Sequence, residues 1–84
     1  MRYRVLISIE VVEFLERLPS KTRNSLRRAV AAIGADPLAM ADASDFDDTG
    51  RKLQIAIIGD FALIYWIDDA DRHVKILDVN AADR

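Results

Sequence analysis

The chain has 84 residues, 51% hydrophobic and 31% charged, with a net charge of −2 and no cysteine. That length fits one domain with a thin core, the apolar content argues against disorder, and the missing thiols exclude disulfides and thiolate metal sites. No apolar run nears the ~20 residues that span a bilayer, and the opening MRYRVLISIEVVEF lacks a signal-peptide cleavage pattern, so the expectation is a single domain over residues 1–84, cytoplasmic and without membrane contact.

Residues 2–8 alternate, with Tyr3, Val5 and Ile7 on one face and Arg2, Arg4 and Leu6 on the other, which predicts a first strand. Ser8 stands where a helix cap is expected. Val11, Phe14, Leu15 and Leu18 then recur at helical spacing, and Pro19 ends that helix. Ser20 is the next cap candidate, Leu26, Ala29, Val30 and Ile33 form the second apolar stripe, and Gly34 is available as a left-handed stop. The tight LPS joint makes the pair a helical hairpin.

Residues 35–50, ADPLAMADASDFDDTG, read as one long irregular connection with Leu38, Met40 and Phe46 as possible anchors. Residues 51–58 read as a strand, Gly59-Asp60 as a short turn, and residues 61–67 as a strand apolar on both faces, hence interior to a sheet. An acidic turn, DDAD, leads into a last strand, HVKILDV. The expected inward set is Leu53, Ile55, Leu63, Tyr65, Leu77 and Val79, meeting Val11, Leu15, Leu26 and Val30. The fold class is α+β, in the order β-α-α-β-β-β, with the helical hairpin packed on one face of a mainly antiparallel four-stranded sheet.

Charge is unevenly placed. Residues 1–34 hold seven Lys/Arg against three Glu (+4), and residues 35–84 hold five Lys/Arg against eleven Asp (−6). The basic half offers a patch to a polyanion, to an acidic partner or to the chain's own acidic half. Asp45, Asp47, Thr49 and Gly50 mimic the start of a calcium loop, but Ala56 falls where that loop needs a bidentate Glu. No Gly-rich phosphate loop, Ser-His-Asp order or zinc spacing occurs, so no metal and no cofactor are expected. His73, the only histidine, lies beside the acidic turn, where a surface or salt-paired role is the simpler reading.

The element order, the LP joint, and the closing GRKL, GDFALIYWID and HVKILDV segments together resemble the RelE/ParE superfamily of bacterial toxins, over nearly the whole chain. The resemblance implies one half of a toxin–antitoxin pair, neutralised by a cognate antitoxin that wraps it. Many RelE-like members cleave mRNA on the ribosome without a metal; ParE-like members inhibit DNA gyrase. RelE-like nucleases typically carry basic residues on the second strand, and Arg51 and Lys52 stand there as expected contacts for RNA phosphate or a partner. On the third strand the family usually reads Gly-x-Tyr-Arg-x-x-Tyr; Tyr65 is retained, while Ala62 replaces the Arg. After the last strand a His-Arg or Lys-Arg pair is common, where this chain has Ala81 and Ala82, with Arg84 the nearby base. Tyr65 and Arg84 are thus the expected catalytic positions, and Arg23, Arg27 and Arg28 the expected antitoxin contacts. The alternative implied is a non-catalytic binder, either gyrase-directed or an inactive member acting through protein contacts.

Overall fold

The computed structural model describes residues 2–82. Strand β1 (Arg4–Ile7) leads through Ser8 into helix α1 (Ile9–Glu16), followed by α2 (Ser20–Ala35), β2 (Ala43–Phe46), β3 (Lys52–Ile58), β4 (Phe61–Asp68) and β5 (His73–Ala81). The strands form one sheet in the order β1-β5-β4-β3-β2. β1 runs parallel to β5, and every other pairing is antiparallel. No helix among the described residues is long and apolar enough to cross a membrane.

The α+β class and the helical hairpin match the expectation, but the sheet has five strands, not four. The extra strand, β2, comes from the stretch read as irregular. It lacks apolar alternation, and local polar bonds hold it in place. Asp42 donates its N–H to the Ile55 carbonyl at 2.8 Å, and its Oδ2 accepts the Ile57 N–H at 2.7 Å. At the far end Asp47 Oδ1 accepts from the Thr49 and Arg51 N–H groups, at 2.9 and 3.0 Å, and from the Thr49 hydroxyl. Gly50 (φ +84°) completes the turn. The apparent calcium loop is thus a hairpin whose carboxylate is spent on its own backbone.

Ser8 caps α1 as expected, its Oγ accepting the Val11 N–H at 3.4 Å. Two other expectations give way. Ser20 is the first residue of α2, and the cap position is Pro19, which has no side chain to offer. Gly34 lies inside α2 and is buried, because a Cβ there would come within 2.7 Å of Val5 Cγ2; its carbonyl accepts the Tyr3 N–H at 2.9 Å. The helix stops one residue later, ahead of Asp36-Pro37, since the residue before a proline disfavours the helical region.

Both helices cover one face of the sheet. Val11, Leu15, Leu26, Val30 and Ile33 pack with Ala56, Leu63, Tyr65, Val74, Ile76 and Val79 in one cluster. Leu53, Ile55 and Leu77, expected inside, are only half-buried on the other face. The two-residue turn at Gly59-Asp60 pairs Ile58 with Phe61, which forces Ala56 opposite Leu63 and Gln54 opposite Tyr65. Directly opposed residues share a face, so Leu53, Ile55 and Ile57 must point away from the helices. A bulge at Ile64/Tyr65, where Ile64 pairs with Asp78 and Tyr65 with Ile76, leaves Leu77 out of the inward row and brings both Ile76 and Val79 into it.

This face assignment is directly testable. Leu63→Ala, at a site with no solvent exposure, should lose about 2–5 kcal/mol in chemical denaturation. Ile57→Ala, on the open face, should lose about 1 kcal/mol or less.

Candidate functional site

The open face is an apolar floor with one basic, aromatic corner. Leu53, Ile55, Ile57 and Ile64 lie on it, with the small Ala62 between Ile57 and Asn80. At the β3 entrance and the β5 start, two cations converge on Trp66. The Arg51 guanidinium lies 4.8 Å from the ring centroid and the Lys75 ammonium 4.7 Å from it. Trp66 is on the central strand and each cation comes from one side of it, Lys75 being its direct cross-strand partner. Such contacts favour the charged groups by roughly 0.5–2 kcal/mol each.

Each cation also holds a carboxylate. Arg51 Nε meets Asp47 Oδ2 at 3.0 Å, and Lys75 Nζ meets Asp68 Oδ2 at 3.7 Å. The Asp47 carboxyl is lowered from its ordinary 3.8 to about 2, first by the Thr49 hydroxyl, then by the backbone N–H groups of Arg51 and Thr49 and the Arg51 side chain.

Arg51 and Lys52 point to opposite faces, as neighbouring strand residues must. Lys52 shares the Gln54 side and pairs with the exposed Phe46. Tyr65 is fully buried on the helix side, where its hydroxyl donates to the Pro37 carbonyl at 2.6 Å. Burial, then the charges of Asp42 and Asp36, push its pKa up to about 12, so the phenol stays protonated across the neutral range. It pins the loop after α2 to the sheet. Ala81 is exposed, and the Ala82 N–H donates to the Asp60 carbonyl at 2.8 Å. Arg84 lies outside the described residues.

The three helix arginines separate. Arg23 is half-buried and donates to the Leu18 carbonyl and to Ser20 Oγ, each at 3.4 Å, stitching the α1–α2 joint. Arg27 and Arg28 are exposed, and Arg27 rims a hollow of about 190 Å³ between the helices, lined otherwise by Ile7, Val12, Leu15 and Val30. His73 sits at the β4–β5 turn with Asp68 and Asp71, their ligand atoms within 4.8 Å of one another. Asp68 is already engaged there by Lys75 and, at 3.3 Å, by the Asp71 N–H. Trp66 and Lys75 were missed in the sequence. Their signal was available, because a strand pair joined by a short acidic turn sets them opposite one another.

No family model matches the sequence, and no curated protein matches it significantly. Solved structures do. The archaeal RelE–RelB complex from Pyrococcus horikoshii matches with a TM-score of 0.85 and 28% identity, over 100% of this chain and 99% of that chain. The RelBE2 toxin–antitoxin complex from Mycobacterium tuberculosis matches with a TM-score of 0.83 and 22% identity, over 98% and 100%. The isolated RelE toxin of E. coli matches with a TM-score of 0.74 and 17% identity, over 98% and 86%. The fold of this chain is that of the RelE toxins.

Two outcomes are expected at these positions. Tyr65→Phe should cost about 1–3 kcal/mol, because the buried Pro37 carbonyl loses its donor. The Asp47 link is fully formed above pH 3.8 and lost as pH falls through about 2, since the folded-state pKa is the depressed one. Thermal melts of the parent should therefore exceed those of Asp47→Asn at neutral pH and converge with them as the pH is taken down to 2.

Proposed function

We propose that this protein, a member of the RelE toxin superfamily by fold, is the toxin component of a type II toxin–antitoxin module and is held inactive by a cognate antitoxin. One observation carries the reading: the fold agrees with that of a RelE–RelB structure over the entire chain, at a TM-score of 0.85. The solved relatives are RelE toxins, which supports a RelE-like target over a gyrase-directed one. On that footing the target is ribosome-bound mRNA, and the open face meets it.

The arrangement supports phosphate contact at Arg51, with Trp66 and Lys75 completing the corner. Lys52 reaches the opposite side of the sheet, and Arg84 would add a cation from the chain's end. Metal-independent RNA cleavage also requires a base for the 2′-hydroxyl and an acid for the leaving oxygen. Tyr65 is committed to Pro37 and serves as a structural anchor for that site. A second reading, binding without cleavage, is favoured by the open face itself. Its middle is Leu53, Ile55, Ile57 and Ala62, groups that exclude water and transfer no proton. The exposed Arg28, together with Arg27 and the hollow it borders, suits the acidic and apolar residues of an antitoxin segment.

Expression of the chain alone in a bacterial host should arrest growth and halt translation, and co-expression of the antitoxin encoded beside it should restore growth. Mapping mRNA ends separates the mechanisms: cuts at ribosomal sites assign cleavage, and arrest with intact mRNA assigns binding. Arg51→Ala with Lys75→Ala should weaken the arrest at unchanged protein level. Normal growth with abundant folded protein would remove the toxin assignment.

A further inference from the structure

Where β4 ends and β5 begins, three metal-ligating side chains meet at the margin of the open face. They are Asp68, Asp71 and His73, one donor atom of each lying within 4.8 Å of the others, and they are the one such group of three among the described residues. The sequence shows no metal-binding spacing; the strand register assembles the group. Asp68 and His73 are direct cross-strand partners, and opposed residues share a face with Cβ atoms about 4.5–5.5 Å apart. The turn holds Asp71 beside them, its N–H donating to Asp68 Oδ1 at 3.3 Å.

The donors are available. Among the described residues, the His73 imidazole and the Asp71 carboxylate make no hydrogen bond or ion pair. Asp68 Oδ2 meets Lys75 Nζ at 3.7 Å, longer than the roughly 2.7–2.9 Å of a charge-assisted hydrogen bond. Asp47, in the other acidic turn, instead spends both carboxylate oxygens on Thr49 and Arg51. Donors on one tetrahedral zinc lie roughly 3.3 Å apart, given bonds of about 2.0–2.2 Å. Asp68 and His73 are half-buried and fixed by the ladder, so turning the exposed Asp71 side chain closes the remaining gap.

The donor set selects the ion. One imidazole nitrogen with two carboxylates suits zinc and its neighbours, whereas calcium and magnesium prefer oxygen alone. Two cations face the group: Arg4, which pairs with His73 from β1, and Lys75. Arg4 is exposed and free to swing outward. Lys75 has a second support, the Trp66 ring at 4.7 Å, and keeps it when its carboxylate leaves.

We propose that Asp68, Asp71 and His73 bind a divalent transition-metal ion of the zinc type, and that the ion draws Asp68 away from Lys75. The imidazole and the two carboxylates then fill three positions, and water completes the coordination. Metal occupancy leaves the Lys75 ammonium over Trp66 without its carboxylate, so the ion sets how much positive charge the basic corner shows. The site stands or falls independently of the toxin assignment.

The full chain, free of tags and stripped with chelator, is titrated with zinc chloride by calorimetry. One zinc should bind per chain, with a dissociation constant below about 0.1 mM, and the melting temperature should rise with zinc concentration. Magnesium and calcium at about 1 mM, the weak end of calcium sites, should not displace it. His73→Ala and, separately, Asp71→Asn should each weaken zinc binding by about tenfold or more, while melting with the parent in chelator. Asp48→Asn, in the other acidic turn, should bind zinc as the parent does. Lys75→Met should bind zinc more tightly, because the competitor for Asp68 is gone. Trp66 is the only tryptophan, so its emission reports the exchange: it should change saturably with zinc in the parent and stay constant in Lys75→Met. No zinc binding below 0.1 mM, or undiminished binding by folded His73→Ala and Asp71→Asn chains, would overturn the site. Magnesium or calcium binding as tightly as zinc would reduce it to an adventitious ion only. Zinc affinity unchanged in Lys75→Met would overturn the exchange with Asp68.

Discussion

The structure depends on the two-residue turn at Gly59-Asp60. Gly59 takes a positive φ of 59°, which is freely available to glycine. A hairpin that short admits one register, and Ile58 must pair with Phe61. From there the parity of the whole β3–β4 ribbon is determined. Phe61, Leu63, Tyr65 and Ile67 face the helices, and so do Ile58, Ala56 and Gln54. The larger side chains of β3 are thereby sent to the other side. One residue more in that turn would exchange the two rows and put Leu53, Ile55 and Ile57 under α2.

The consequences are visible in packing. With Ala56 rather than an isoleucine beneath it, α2 can approach the sheet closely, and Leu26 and Ile33 fill the space with almost no exposure. The same need for close approach explains Gly34 against Val5. The bulge at Ile64/Tyr65 does the matching adjustment on the other side of β4, restoring Ile76 and Val79 to the core at a spacing of three. The cost of this arrangement is an open face with more apolar surface than a solitary antiparallel sheet usually shows to water. A face of that kind gains stability in a small domain from a partner that covers it.

Much of this was legible in the residues. The two helices announce themselves through four apolar positions each at helical spacing, and β4 through an unbroken apolar run. The resemblance rested on those same segments, and so it reached the fold. What escaped notice depends on non-local or polar causes. β2 is ASDF, a stretch with no period, and it exists because Asp42 grips the backbone of Ile55 and Ile57 from more than ten positions away. The outward row of β3, Leu53, Ile55 and Ile57, is more apolar than the inward Gln54, Ala56 and Ile58, so hydrophobicity points to the wrong row, while the turn gives the right one. At the site, the opposed directions of Arg51 and Lys52 followed from strand geometry alone. The burial of Tyr65 against Pro37 did not, because a tyrosine on an interior strand looks the same whether its hydroxyl is anchored or free.

Charge placement then sets how the open corner can work. The basic first half and acidic second half do not neutralise each other as blocks. The cations beside Trp66 are instead met by carboxylates from the nearest turns, Asp47 for Arg51 and Asp68 for Lys75. Both pairs are partly exposed, where an ion pair is worth about 0–1 kcal/mol, so an arriving phosphate can displace a carboxylate at little cost. The bound carboxylates keep the cations in position over the indole while the face is empty. They also limit how strongly any polyanion is held, because each new contact replaces an existing one. A corner built this way favours a partner that brings several contacts together, stacking on Trp66 and covering the apolar floor as well as meeting the charge. A bare phosphate offers only the last of these.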